Sequence, residues 1–231
     1  MHTCSISIRS SDGPEFHCYL ATPALVRRVP AVVIASSVRG VDEDLRAIAD
    51  EFASHGYIVA APDLFWRTIP GPLESGDPRA AERGQPRSQR LRVGEQDLLD
   101  VGAALQRYHL FNGRAAIVGI CYGGPYALIG PKRLGYQAGI AIHGSQMLDY
   151  IDELDGAVHP IVITWGDQDH LAPPEVRHTF QNLSERMPNL EVHVLAGVQH
   201  GYMMHGASRA FVQTAYDFSL SRALALLHDL R

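Results

Sequence analysis

Two hydrophobic periods alternate along this chain. From residue 30 onward, short apolar runs rich in Val, Ile and Ala are separated by segments whose apolar positions return at helical spacing. The run PAVVIAS (30–36) is continuous enough to be a central strand buried on both faces, and YIVAAPD (57–63), AAIVGI (115–120), QAGIAIH (137–143), HPIVITW (159–165) and LEVHVLA (190–196) are the further strands. Between them, Val41, Leu45, Ile48, Ala49 and Phe52 mark a helix with Asp42 as its N-cap and Gly56 as its stop. Leu98, Val101, Gly102 and Leu105 mark another, ending at about residue 108, and a third begins near Tyr122. Pro173 and Pro174 suit the first turn of a helix reaching about Met187, and an amphipathic run from Ala207 to Leu230 closes the chain. This alternation predicts an α/β fold, a mainly parallel central sheet with helices on both faces.

Two segments break the alternation. Residues 3–10 and 15–22 flank the Asp12-Gly13 turn signal and read as an antiparallel hairpin ahead of the main sheet. From 64 to 93 periodicity disappears in a stretch rich in Pro, Gly and Arg, a loop or cap-like excursion of a length that often serves function. No internal repeat or low-complexity tract is present, and the 231 residues are expected to form a single domain over 1–231.

Composition narrows the function classes. With 46% hydrophobic and 19% charged residues the chain is suited to a buried core, and a net charge of −5 is a poor match for a nucleic-acid backbone. No run approaches the roughly 18 apolar residues of a membrane span, and the N-terminus lacks the basic and apolar regions of a secretory signal. The three cysteines, Cys4, Cys18 and Cys121, form no CxxC pair and read as thiols of a reducing compartment, so a cytoplasmic location is expected. No HExxH or close ligand set appears, so neither metal nor cofactor is expected, and a monomer is the favoured state.

The densest chemical signal is AAIVGICYGGPYALIG (115–130), in which a strand enters Gly119-Ile120-Cys121-Tyr122-Gly123-Gly124 and then a helix. An abrupt strand-to-helix turn forces strained backbone on the residue at its apex and leaves no room for side chains beside it, which accounts for the glycines. The pattern G-x-C-x-G-G is that of a nucleophile elbow with cysteine at its apex. At the start of the following helix, backbone N–H groups favour both a thiolate and a developing oxyanion. A small buried cysteine on a glycine-rich turn is the plainer alternative.

A nucleophile at an elbow needs a base and a group to orient it, and both belong at the ends of later strands. HPIVITW runs into Gly166-Asp167-Gln168-Asp169-His170, and LEVHVLA runs into Gly197-Val198-Gln199-His200-Gly201. His200 is the natural base. Either Asp167 or Asp169 has the chemistry to fix its tautomer, the other then shaping the turn. The Tyr122 amide is one expected oxyanion donor, and a second is expected near Ser37 or Val38. His143, Tyr202, Phe65 and Trp66 are candidate pocket residues or ordinary packing.

Four segments, VIASSVRGVDEDLRAIADEFASHGYIVAAPDLFWR (33–67), VGICYGGPYA (118–127), WGDQDHLAPP (165–174) and QHGYMMHG (199–206), resemble the dienelactone hydrolase family over nearly the whole chain. The resemblance implies an α/β-hydrolase fold with Cys121 as nucleophile, His200 as base, Asp169 as the acid and the Val38 amide as second oxyanion donor. Two positions depart from the family pattern: Ser37 stands where a glutamate helps to activate the thiol, and Met204 where an arginine binds the substrate carboxylate. Arg39, Arg67, Arg79 and Arg83 are the candidate replacements for that charge. The expected activity is hydrolysis of a small ester or lactone through a thioester acyl-enzyme. The alternatives are a broad carboxylesterase or thioesterase, and a non-catalytic small-molecule-binding protein on the same scaffold.

Overall fold

The computed structural model describes residues 1–24, 27–206 and 210–231. By proximity of Cα atoms they divide into two compact units, 1–116 with Arg231, and 117–230.

The first unit opens with the expected hairpin, β1 (His2–Arg9) and β2 (Glu15–Thr22), paired antiparallel from His2 opposite Thr22 to Arg9 opposite Glu15. β3 (Val29–Ala35) and β4 (Ile58–Pro62) are buried throughout and run parallel, Ala31 opposite Ile58 and Val33 opposite Ala60. The strand order is β1-β2-β4-β3-β5, where β5 (Phe111–Ile120) is the strand in which one unit passes into the other. α1 (Glu43–Ser54) begins as the sequence indicates: the Asp42 side chain accepts from the Leu45 amide at 2.9 Å. Its face of Leu45, Ile48 and Phe52 is fully buried, worth roughly 1.5–3 kcal/mol for each side chain.

The aperiodic stretch is shorter than the sequence suggests. α2 (Arg79–Arg83) lies inside it, and α3 (Arg87–Gln106) begins well before Leu98. In the first two turns of α3 the buried positions are Leu91 and Gly94, so a single buried apolar side chain among charged neighbours hides the period.

The second unit takes β5 onward in the order β5-β6-β7-β8, with β6 (Ala138–Ile142), β7 (Ile161–Gln168) and β8 (Leu190–Gln199) parallel. α4 (Tyr126–Arg133) packs on β6, α5 (Pro174–Ser184) on β8, and α6 (Gln213–His228) on β6 and β7. A core of Leu128, Met147, Ile163, Trp165 and Phe180 lies among them. The expected start of the last helix, Ala207, lies outside the described residues. A 3₁₀ segment, Met147–Leu154, with a kink at Tyr150, was not legible as a helix. The register of β7 against β8 shifts between Gly166 and Gln168, a bulge that re-aims the strand end carrying Asp169.

Candidate active site

Cys121 stands where β5 ends. Its φ of +52° lies in the left-handed region that costs a side-chain-bearing residue strain, as the elbow pattern requires. The chain then makes a 3₁₀ turn, Cys121–Gly123, and α4 follows only at Tyr126, later than the pattern suggests. The Cys121 carbonyl holds the turn by accepting from the Gly124 and Ser145 amides, each at 3.0 Å. The flanking glycines have direct causes: a Cβ on Gly119 would lie 2.2 Å from the Gly123 carbonyl oxygen, and one on Gly124 would lie 2.4 Å from the Gly144 Cα.

His200 and Asp169 meet this thiol from the ends of β8 and β7. His200 Nε2 lies 3.1 Å from Cys121 Sγ, and Nδ1 donates to Asp169 Oδ2 at 2.8 Å and Oδ1 at 3.0 Å. The Asp169 side chain is fully buried, and its Oδ1 also accepts from the Leu171 amide at 2.8 Å. Asp167, by contrast, is exposed and accepts from the Gly197 amide at 2.8 Å, which makes it a turn-shaping residue. Burial alone would lower the His200 imidazole, but the hydrogen bonds and charges of Asp169 and Cys121 outweigh it and raise it from 6.5 to about 10. The contacts with Asp169 and Cys121 therefore favour the protonated imidazole beside the sulfur.

Beside this relay lies His143, at the end of β6 with a φ of +39°. Its ring is buried edge-on to His200, with centroids 4.7 Å apart, and edge-on to Tyr202 at 5.3 Å. Neither ring nitrogen has a hydrogen-bond partner among the described residues. Burial, and then the charge of His200, hold this imidazole well below 6.5 and so neutral. Tyr202 is fixed behind it, its hydroxyl hydrogen-bonded to Thr164 Oγ1 and Ser219 Oγ, each at 2.8 Å. The sequence reading did not single out Thr164 or Ser219; a lone hydroxyl inside the apolar run HPIVITW was the available signal for the first. Met204 is buried.

The remaining candidates lie in the first unit. Ser37 is buried, and its Oγ accepts from the Arg39 amide at 3.2 Å, while the Gly40 amide donates to the Ser37 carbonyl at 3.0 Å, a tight turn that includes Val38. Each candidate arginine has partners of its own. Arg39 pairs with Asp42 and with Asp44 at 3.0 Å, Arg67 with Asp97 at 2.7 Å and Asp12 at 2.8 Å, and Arg79 with Asp77 at 2.7 Å. Arg83 is fully buried and donates to the carbonyls of Val38 at 3.2 Å, Gly71 at 2.8 Å and Ile69. Phe65 stacks under its guanidinium at 4.3 Å, and Trp66 lies against Phe16.

The chain as a whole is similar to proteins already known. The chain is 28% identical over 235 residues to a carboxymethylenebutenolidase of Pseudomonas putida, covering 100% of this chain and 98% of the relative. It is 27% identical to carboxymethylenebutenolidase 1 of Cupriavidus pinatubonensis, covering 98% and 97%. In fold it is similar to a presumed dienelactone hydrolase from Klebsiella pneumoniae, with a TM-score of 0.83, 20% identity and 98% of each chain covered. It is similar also to a dienelactone hydrolase-like promiscuous phosphotriesterase from metagenomic libraries, with a TM-score of 0.81, 16% identity and coverage of 100% and 99%. The family model for the dienelactone hydrolase family matches residues 16–230, and the chain belongs to that family.

Proposed function

We propose that this protein hydrolyses small esters or lactones through Cys121, His200 and Asp169. The observation that carries the reading is the continuous relay of the three, from Asp169 Oδ2 at 2.8 Å from His200 Nδ1 to His200 Nε2 at 3.1 Å from Cys121 Sγ. In acylation Sγ adds to the substrate carbonyl carbon, and the tetrahedral oxyanion takes a backbone N–H bond from Tyr122. Collapse expels the alkoxide, which takes the proton from His200 Nε2 and leaves a thioester on Cys121. The neutral imidazole then removes a proton from water as it attacks the thioester, and keeps that proton as the thiolate departs, which restores the His200 cation beside the sulfur. Asp169 keeps Nδ1 protonated and the ring oriented throughout. Ser37 has no part in activating the thiol in this scheme, because the His200 cation already faces the sulfur.

The state of the arginines bears on the substrate. Arg39, Arg67, Arg79 and Arg83 are engaged with carboxylates or carbonyls, and Met204 contributes no charge, so a neutral ester or lactone is preferred over one that carries a carboxylate. The carboxymethylenebutenolidase names of the relatives support lactone substrates, and the three free cysteines support a reducing, cytoplasmic setting. The test compares turnover of a neutral aryl acetate, a neutral lactone and a carboxylate-bearing lactone by the wild-type chain and by Cys121→Ala. Turnover of the neutral substrates by the wild type, lost in the variant, is expected. Undiminished turnover by Cys121→Ala would refute the nucleophile, and a marked preference for the carboxylate-bearing lactone would refute the substrate class.

A further inference from the structure

His143 is the buried group that the proposed hydrolysis leaves without a task. A fully buried imidazole with neither nitrogen partnered among the described residues is costly, since each polar atom forgoes water without compensation. The ring faces a place where two other donor atoms converge. Cys121 Sγ, a His200 ring nitrogen and a His143 ring nitrogen all lie within 4.8 Å of one another. A sulfur and two imidazole nitrogens form a donor set suited to a borderline-soft divalent cation and poorly suited to magnesium or calcium, which take oxygen.

From this geometry we infer that Cys121, His143 and His200 form an inhibitory site for a single Zn²⁺ ion, which binds reversibly and shuts off hydrolysis. The inference rests on the proposed function for its consequence, the inhibition, but not for the binding itself. In tetrahedral zinc sites the donor atoms stand about 3.5 Å apart, given metal bonds of about 2.0–2.3 Å. The His200–Cys121 separation of 3.1 Å is already close to that, and small side-chain rotations bring in the third donor. Around the site, Asp169 accepts from His200 Nδ1 and so directs Nε2 at the metal, the carboxylate–histidine arrangement that orients zinc ligands elsewhere. Tyr202, anchored to Thr164 and Ser219, backs the His143 ring and limits its rotation. Water or a small anion completes the tetrahedron. On binding, the proton on His200 Nε2 leaves to solvent and no covalent bond of the chain changes. Sγ is then engaged as a ligand and unable to attack a carbonyl, so zinc and substrate exclude one another.

The experiment uses the full-length chain freed of metal by chelation. Zn²⁺ is titrated in competition with a chromophoric chelator, Co²⁺ is used as a spectroscopic substitute, and hydrolysis of an aryl acetate is followed at buffered free zinc. One Zn²⁺ per chain, competitive inhibition and a thiolate-to-cobalt charge-transfer band are expected. Loss of even an outer partner costs roughly 10–100-fold in metal affinity, so His143→Ala is expected to weaken Zn²⁺ binding by at least about tenfold. His143→Gln, closer in volume, guards against loss of fold, and His178→Ala, an exposed histidine of α5, is expected to bind as wild type does. Equal zinc affinity in wild type and the His143 variants, or a cobalt adduct without the charge-transfer band, would overturn the site. Zinc binding as described in a chain that hydrolyses no ester would leave the site standing and remove the functional reading. Cys121-dependent hydrolysis that is indifferent to zinc would remove this inference alone.

Discussion

Asp167 and Asp169 are two residues apart on one strand end, yet one is exposed and bonded to a turn amide while the other is buried against His200. That contrast predicts unequal effects of the same change. Asp169→Asn removes the charge that keeps His200 protonated, and is expected to lower kcat/KM by roughly 10²–10⁴-fold. Asp167→Asn retains an oxygen for the Gly197 amide and is expected to stay within a few-fold of wild type. The same pair separates in pH profile. The proposed acylation draws on the proton of His200, so wild-type activity is expected to fall on the alkaline side near pH 10, and Asp169→Asn to move that fall down toward 6.5. An unmoved alkaline limb would contradict the role given to Asp169. His143 makes a second prediction, of opposite sign. Folded, it stays neutral far below 6.5, whereas unfolded it takes up a proton near 6.5. The unfolded state therefore binds more protons as pH drops through 6.5, and this group costs stability on the acid side. Denaturant unfolding at about pH 7 and about pH 5 is expected to show a smaller loss for His143→Gln than for wild type; equal losses would mean that the imidazole charges freely in the fold.

At the scale of elements, the elbow and the 64–93 stretch show what apolar periodicity reveals and what it hides. G-x-C-x-G-G is legible because a close backbone approach demands glycine, and Gly119→Ala would press a methyl group against the Gly123 carbonyl at 2.2 Å. Overpacking of this kind costs about 1–3 kcal/mol, measurable by urea denaturation, and hydrolysis is expected to fall with it as Cys121 is displaced. Stability unchanged from wild type would mean the turn has slack that the geometry denies. The role of Arg83 was hidden, because its partners are backbone carbonyls and carry no side-chain pattern. Its guanidinium fastens Val38 to Ile69 and Gly71, a staple from α2 to the turn that contains Val38. Arg83→Met keeps the length but removes the donors, and is expected to cost about 2 kcal/mol or more and to speed proteolytic cleavage within residues 64–86. Proteolysis at the wild-type rate would argue against the staple. The start of α3 was hidden by sparse patterning, since Leu91 is the one buried apolar side chain in its first two turns.

For the molecule as a whole, the order of strands and helices was legible because parallel strands buried on both faces leave unbroken apolar runs, and each crossover helix leaves an apolar stripe. Among the described residues no helix is long and apolar enough to cross a membrane. The meeting of Cys121, Asp169 and His200 was foreshadowed as well, since the three follow three strands in order. What sequence could not supply was neighbourhood. His143 and Cys121 are 22 positions apart, and they meet because β5 and β6 are adjacent and both end at the same place. The central claim, that this family member works through a covalent intermediate on Cys121, is tested most directly by trapping it. Full-length protein is mixed with an activated aryl acetate, quenched in acid within the first turnovers and mapped by peptide mass spectrometry, with Cys121→Ala alongside. Buried Cys18, its thiol pushed up by burial, is expected to stay unmodified. An acetyl group on the peptide carrying Cys121, absent from the variant and lost on further incubation, is the result expected. Hydrolysis that proceeds with no acyl group on Cys121, or with one elsewhere, would contradict the account.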